Sequence, residues 1–155
     1  MAFKTITSAN AILIATIIPD QPVIAPWLSI QIQDFAVDDA WSSEAITYGN
    51  AEKGVDGAVG AYRQLSMAPF AFSLMANSKS IPFIEAYRME MDRSQEIIAV
   101  NFTLQIPSLK QAHSIINATP KTMSALATGK SSLQPLSYTF LADKIITSTI
   151  TSLVL

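Results

Sequence analysis

Along four stretches of this chain apolar residues recur at every second position, and that period leaves little choice of fold. A period of two puts alternate side chains on opposite faces of an extended strand, whereas a helix needs 3.6. The clearest run sets Ile98, Val100, Phe102, Leu104 and Ile106 against Ala99, Asn101, Thr103 and Gln105. Phe70, Phe72 and Leu74 alternate with Ala71 and Ser73, and Leu136, Tyr138 and Phe140 with Ser137 and Thr139. Leu28, Ile30 and Ile32 alternate with Ser29, Gln31 and Gln33. Each predicts a strand with one apolar face and one polar, uncharged face, the pattern of antiparallel sheets. Pro69, Pro107, Pro120 and Pro135 are expected at edges, ends or bulges, because proline has no amide to give a ladder.

Ala11 to Ile18 also reads as a strand. Lys4 before it imitates a signal peptide, but Thr5, Thr7, Ser8 and Asn10 interrupt the approach, and the small-residue site at 23–25 is followed by Pro26. No apolar run nears the roughly 18–20 residues of a membrane span, so no membrane insertion is expected. One helix is predicted over about 81–93. Asn77 to Ser80 offer capping side chains, Pro82 suits a first turn, and Ile84, Tyr87 and Met91 follow at helical spacing. Glu85 can pair with Arg88, and Arg88 with Asp92, on the opposite face. With 155 residues the chain is read as one domain, 1–155.

The segment at about 35–60 breaks the pattern. Asp34, Asp38, Asp39, Glu44, Glu52 and Asp56 are opposed only by Lys53, giving −5 over 34–60 and +3 over the remainder. It holds four of the five glycines, and Asp56-Gly57 is a strong turn signal. A long loop or hairpin is expected, mobile in the free subunit, with Trp41, Ile46 and Tyr48 free to dock on a neighbour.

Chemistry is sparse. Asp38 and Asp39 beside Glu44 contain the residue types of an acid–base pair, but neighbours on an extended chain point to opposite faces, and a solvated acidic loop accounts for them. The run from Gly54 to Gly60 lacks the Lys-Ser/Thr of a phosphate loop and the acidic spacing of a calcium loop. His113 is the only histidine and there is no cysteine, so a transition-metal site lacks ligands; His113 reads as a strand residue, and Trp27 and Trp41 as core or interface anchors. No enzyme activity, metal or cofactor is expected. The net charge of −2 argues against a protein that grips phosphates. Only 14% of residues are charged, against roughly 25% in a typical soluble domain, so part of the surface is expected to be covered by a partner.

Several short motifs, in order, resemble bacteriophage tail tube proteins. They are Thr5-Ile6-Thr7-Ser8-Ala9-Asn10-Ala11, the run from Phe35 to Ala45 with Gly54-Val55-Asp56-Gly57, Ala76-Asn77-Ser78-Lys79-Ser80-Ile81, and Leu133-Gln134-Pro135-Leu136. Tyr62 to Pro69 and the Ser/Thr-rich end after Asp143 match no motif. The resemblance implies an antiparallel β-sandwich or barrel with one helix on a side. It also implies homohexameric rings stacked into a hollow tube in the virion tail, assembled in the host cytoplasm, through which the viral genome passes without tight binding. Terminator and baseplate proteins, and a sheath if the tail is contractile, would be its partners. Asp34, Asp38, Asp39, Trp41, Glu44, Tyr48, Glu52 and Asp56 would then lie on an inter-ring or lumen-facing loop. Alternatives are the tube protein of a contractile bacteriocin or type VI secretion system, a β-barrel module for a small apolar ligand, and a hydrolase using Asp or Ser.

Overall fold

The structure, a computed structural model, describes residues 11–17, 29–36 and 40–149. Trp27, Leu28, Asp38, Asp39 and the opening motif as far as Asn10 lie outside the described residues. The described residues form ten strands and one α-helix: β1 (Ile12–Ile17), β2 (Ser29–Ile32), β3 (Trp41–Ser42), β4 (Gly49–Lys53), β5 (Val59–Arg63), β6 (Ala68–Leu74), α1 (Ile81–Ser94), β7 (Val100–Ile106), β8 (Gln111–Met123), β9 (Leu136–Ala142) and β10 (Lys144–Thr149). Eight strands form one antiparallel sheet in the order β2-β1-β7-β8-β9-β6-β3, with β10 added to β8; β4 and β5 pair only with each other. The alternation read from sequence is the burial pattern observed. Phe70, Phe72, Leu74, Val100, Phe102, Leu104, Leu136, Tyr138 and Phe140 are buried.

The long strand β8 turns this sheet into two layers. Its first half lies between β7 and β10, and its second half pairs with β9. Between them Asn117 adopts φ 52°, and the registers shift at Val100/Phe102 and at Pro120/Thr122. Asn101 Oδ1 accepts a hydrogen bond from the Asn117 amide at 2.9 Å and holds the irregularity in place. Bulges of this kind bend a strand and let it change layers. Pro120 is thus at a bulge, as proline in a long strand requires. The result is visible in the core. Although β8 and β9 separate β6 from β7 in the sheet, the rings of Phe72 and Phe102 are 5.7 Å apart. The sheet does not close into a barrel: its end strands β2 and β3 are four and two residues long and pair inward only. Of the stretch after Asp143 that matched no motif, Lys144–Thr149 form β10 on β8.

Helix α1 runs one residue past its predicted end, with Phe83, Ile84 and Tyr87 buried and Met91 partly so. Arg88 pairs with Glu85 as expected, and Arg93 pairs with Glu90; Asp92 adds only a weaker electrostatic pull on Arg88. The expected caps are absent. Ser80 makes no capping bond; its hydroxyl instead accepts from the Gln33 amide at 2.9 Å, while Ser78 donates to the Gln33 carbonyl at 2.6 Å. These serines serve as anchors for the end of β2, a contact 45–47 residues away in sequence.

Two buried tyrosines differ in a testable way. The Tyr87 hydroxyl donates to the Ile98 carbonyl, whereas the Tyr138 hydroxyl has no hydrogen-bond partner among the described residues. Tyr87→Phe would orphan a buried carbonyl and is expected to cost about 1–3 kcal/mol in urea melts. Tyr138→Phe removes an unsatisfied group and should leave stability unchanged or raise it. A larger loss at Tyr138 than at Tyr87 would reverse this assignment. Burial holds the Tyr87 phenol well above its ordinary value of 10.0. Above that pH the unfolded chain releases the proton while the folded chain keeps it. This stabilisation is therefore complete below pH 10 and declines as pH rises beyond it. Tyr87→Phe should flatten that alkaline slope.

Candidate assembly surface

The ribbon β4–β5 leaves the sheet beside the start of β6. At its base Ser43 donates to the Pro69 carbonyl at 2.7 Å, Ser66 to the Thr47 carbonyl at 2.8 Å, and the Gln64 amide to the Tyr48 carbonyl at 2.8 Å. Five cross-strand pairs follow, from Gly49–Arg63 to Lys53–Val59. A Cβ at Gly49 would stand 2.3 Å from the Tyr62 carbonyl oxygen, so glycine permits the strands to approach here. The predicted Asp56-Gly57 turn closes the tip. Gly57 takes φ 86°, Asp56 accepts the Ala58 amide at 3.1 Å, and the Gly54 amide donates to the Ala58 carbonyl at 2.7 Å. The hairpin thus extends to Arg63, past the predicted limit of 60.

Every residue of β4 and β5 is exposed. An isolated two-stranded ribbon has no core and is marginal in water. This one also carries apolar groups into solvent: Tyr48 (69%), Val55, Val59, Tyr62, Leu65 (89%) and Met67. They are six of the thirteen large apolar side chains exposed among the described residues, gathered in 20 positions, so this is a patch and not scatter. Beside its base a groove of about 550 Å³ runs between Leu65, Met67 and Ile145 and the polar ends of Arg63, Asp143 and Lys144.

The candidate site residues separate into two groups. Glu44, Tyr48, Glu52 and Asp56 lie exposed on the hairpin and its approach. Asp34, which is also exposed, and the partly buried Trp41 lie elsewhere. Asp34 has φ 60°; its carboxylate accepts the Lys79 amide at 3.0 Å and its carbonyl the Met75 amide at 2.9 Å, fastening the turn before α1. Trp41 pairs opposite Phe72, meets Phe35 edge to face at 5.9 Å and packs on the core, as does Ile46. Trp41 and Ile46, expected to dock on a neighbour, are already partly buried against the chain's own core, because β3 seats Trp41 on the edge of the sheet. Val59, Tyr62, Leu65 and Met67 were missed. Their signal was apolar residues on both faces of a stretch without alternation, where no own core can take both.

His113 is a β8 residue whose Nδ1 lies 2.9 Å from Thr147 Oγ1 across to β10. It borders an apolar crevice of about 310 Å³ between the layers, lined by Trp41, Phe70, Leu104, Ile115 and Ile145. Among the described residues no three His, Asp or Glu are grouped to hold a metal ion.

No protein-family model and no curated protein sequence matches this chain. Solved structures do match its fold. A chain of the anti-feeding prophage tube-terminating cap aligns with TM-score 0.58 and 10% identity, over 96% of this chain and 94% of that one. A chain of the sheath/tube terminator of an extracellular contractile injection system, PVC, gives 0.57 and 12%, over 96% and 100%. A chain of the PVC sheath–tube complex in the extended state gives 0.52 and 14%, over 88% of each. At these identities the likeness is one of fold, and it spans 88–100% of each aligned chain.

Proposed function

We propose that this chain is a structural subunit of a tail tube, assembling with copies of itself into stacked hexameric rings around a channel. The observation that carries this is the near end-to-end match to chains of tube terminators and of a sheath–tube complex. The exposed apolar hairpin supports it independently, since a ribbon without a core needs a partner surface to hold it. In this reading the protein turns over no substrate and holds no cofactor. Its partners are copies of itself and the sheath, terminator and baseplate of a virion tail. The genome passes without tight binding because acidic residues repel phosphate. Light scattering across concentration and salt tests the reading: the molar mass should rise to rings or longer assemblies, and a strict monomer throughout would refute it.

The channel lining has its own test. Replacing Asp38, Asp39 and Glu44 with lysine should make assembled tubes retain DNA at low salt, by reversing the sign facing phosphate. Equal, poor retention by parent and variant would remove these residues from the lumen.

A second reading is favoured by the source of the solved neighbours, which come from the anti-feeding prophage and an extracellular contractile injection system. The chain would then be a tube or terminator subunit of such an injection particle and not of a virion. Nucleic acid content of purified particles separates the two readings.

A further inference from the structure

We infer that the loop 124–135 is the surface on which the hairpin of the next copy docks, so that copies join head to tail; this rests on the tube reading above. Position comes first. Strand β6 begins at Ala68, paired with Ala142, and ends at Leu74, paired with Leu136. The hairpin leaves beside Ala68. The loop 124–135 joins β8 to β9 beside Leu74. Seven residues of strand separate them, roughly 20 Å at a strand's rise per residue. Hairpin and loop therefore occupy opposite ends of one layer.

The loop is built to present apolar groups outward. Its backbone is fastened by Gln134 N–H to the Thr128 carbonyl at 3.0 Å, Lys130 N–H to the Ser132 carbonyl at 3.2 Å and Ser124 N–H to the Ser137 carbonyl at 3.1 Å. A bridge pairs Gly129 with Leu133. Held in this shape, Leu126 is 85% exposed and Leu133 64%. With Met75 at the same end, these join the six on the hairpin; nine of the thirteen exposed large apolar side chains fall at the two ends.

Charge chooses the pairing. The hairpin tip carries Glu52 and Asp56 against Lys53. The loop carries Lys130 alone, and no acidic residue occurs between 97 and 142. Hairpin on hairpin would oppose acidic turns, whereas hairpin on loop brings Lys130 to them. Two different patches in contact make a heterologous joint, which repeats along an axis instead of stopping at a dimer.

The chain has no cysteine, so single thiols report contacts cleanly. Val55→Cys and Leu133→Cys chains, mixed, assembled and oxidised with diamide, should give a disulfide dimer on a non-reducing gel that neither gives alone. Leu126→Cys is an alternative partner for Val55→Cys. The double variant Val55→Cys/Leu133→Cys should give a ladder. Met89→Cys, on the exposed side of α1, is the control. Leu126→Glu/Leu133→Glu should weaken association at least tenfold and leave the monomer's melting temperature in place. If light scattering shows assembly but the mixed adducts do not exceed the Met89→Cys control, or the Val55→Cys homodimer dominates, the head-to-tail contact is overturned and the tube reading stands. If every variant and the parent remain monomers, both fall.

Discussion

Phe102→Ala is expected to cost about 3–5 kcal/mol, a large part of the 5–15 kcal/mol that holds a typical domain folded. Phe102 joins the two layers. Its ring lies 5.5 Å from Phe70, 5.7 Å from Phe72 and 4.9 Å from Phe140, the first two on β6 and the third on β9, while Phe102 itself is on β7. Truncation removes the apolar area of the ring and opens a cavity between layers whose other rings are fixed to strands and can collapse only in part. The loss should appear as a lower urea midpoint. An unchanged slope would show that the same surface is exposed on unfolding. A loss below about 1 kcal/mol would mean that the layers do not depend on this aromatic cluster.

The second large effect is on association. Replacing Val55, Val59 and Tyr62 together with serine should abolish self-assembly while changing the subunit's stability by no more than about 0.5 kcal/mol. The asymmetry follows from exposure. All three side chains face solvent in the subunit and contribute nothing to the core, so their loss is felt only where a second chain would cover them. Sedimentation velocity and a thermal melt on the same sample read both quantities. A variant that assembles like the parent would remove the hairpin from the interface. One that unfolds would show that the hairpin supports the fold.

The legible part of this architecture was the part that alternates. Val100, Phe102 and Leu104 announced β7 because one face of that strand meets only core, and the Asp56-Gly57 turn followed from local backbone chemistry. The split of one sheet into two layers was not legible. It turns on Asn117 and the shift near Pro120, whose effect depends on which strands flank β8 at each point. The serines before α1 were read as caps, because nothing local reveals that the end of β2 offers Gln33 as a partner 45–47 residues away. Of the candidate site, the acidic hairpin was legible from its charge and glycine. The seat of Trp41 against the core was not legible, because a two-residue strand leaves no period to detect. The exposure of Leu126 and Leu133 was not legible, because single leucines in a Ser- and Thr-rich loop have the composition of any turn.

The proposed assembly of this chain is a hollow tube. Negative-stain electron microscopy of the purified protein tests it most directly, over a range of concentrations and with the serine hairpin variant beside the parent. Six-fold rings with a central channel, or stacks of them, are expected for the parent, and only small single particles for the variant. Small single particles for both, at every concentration, would contradict it.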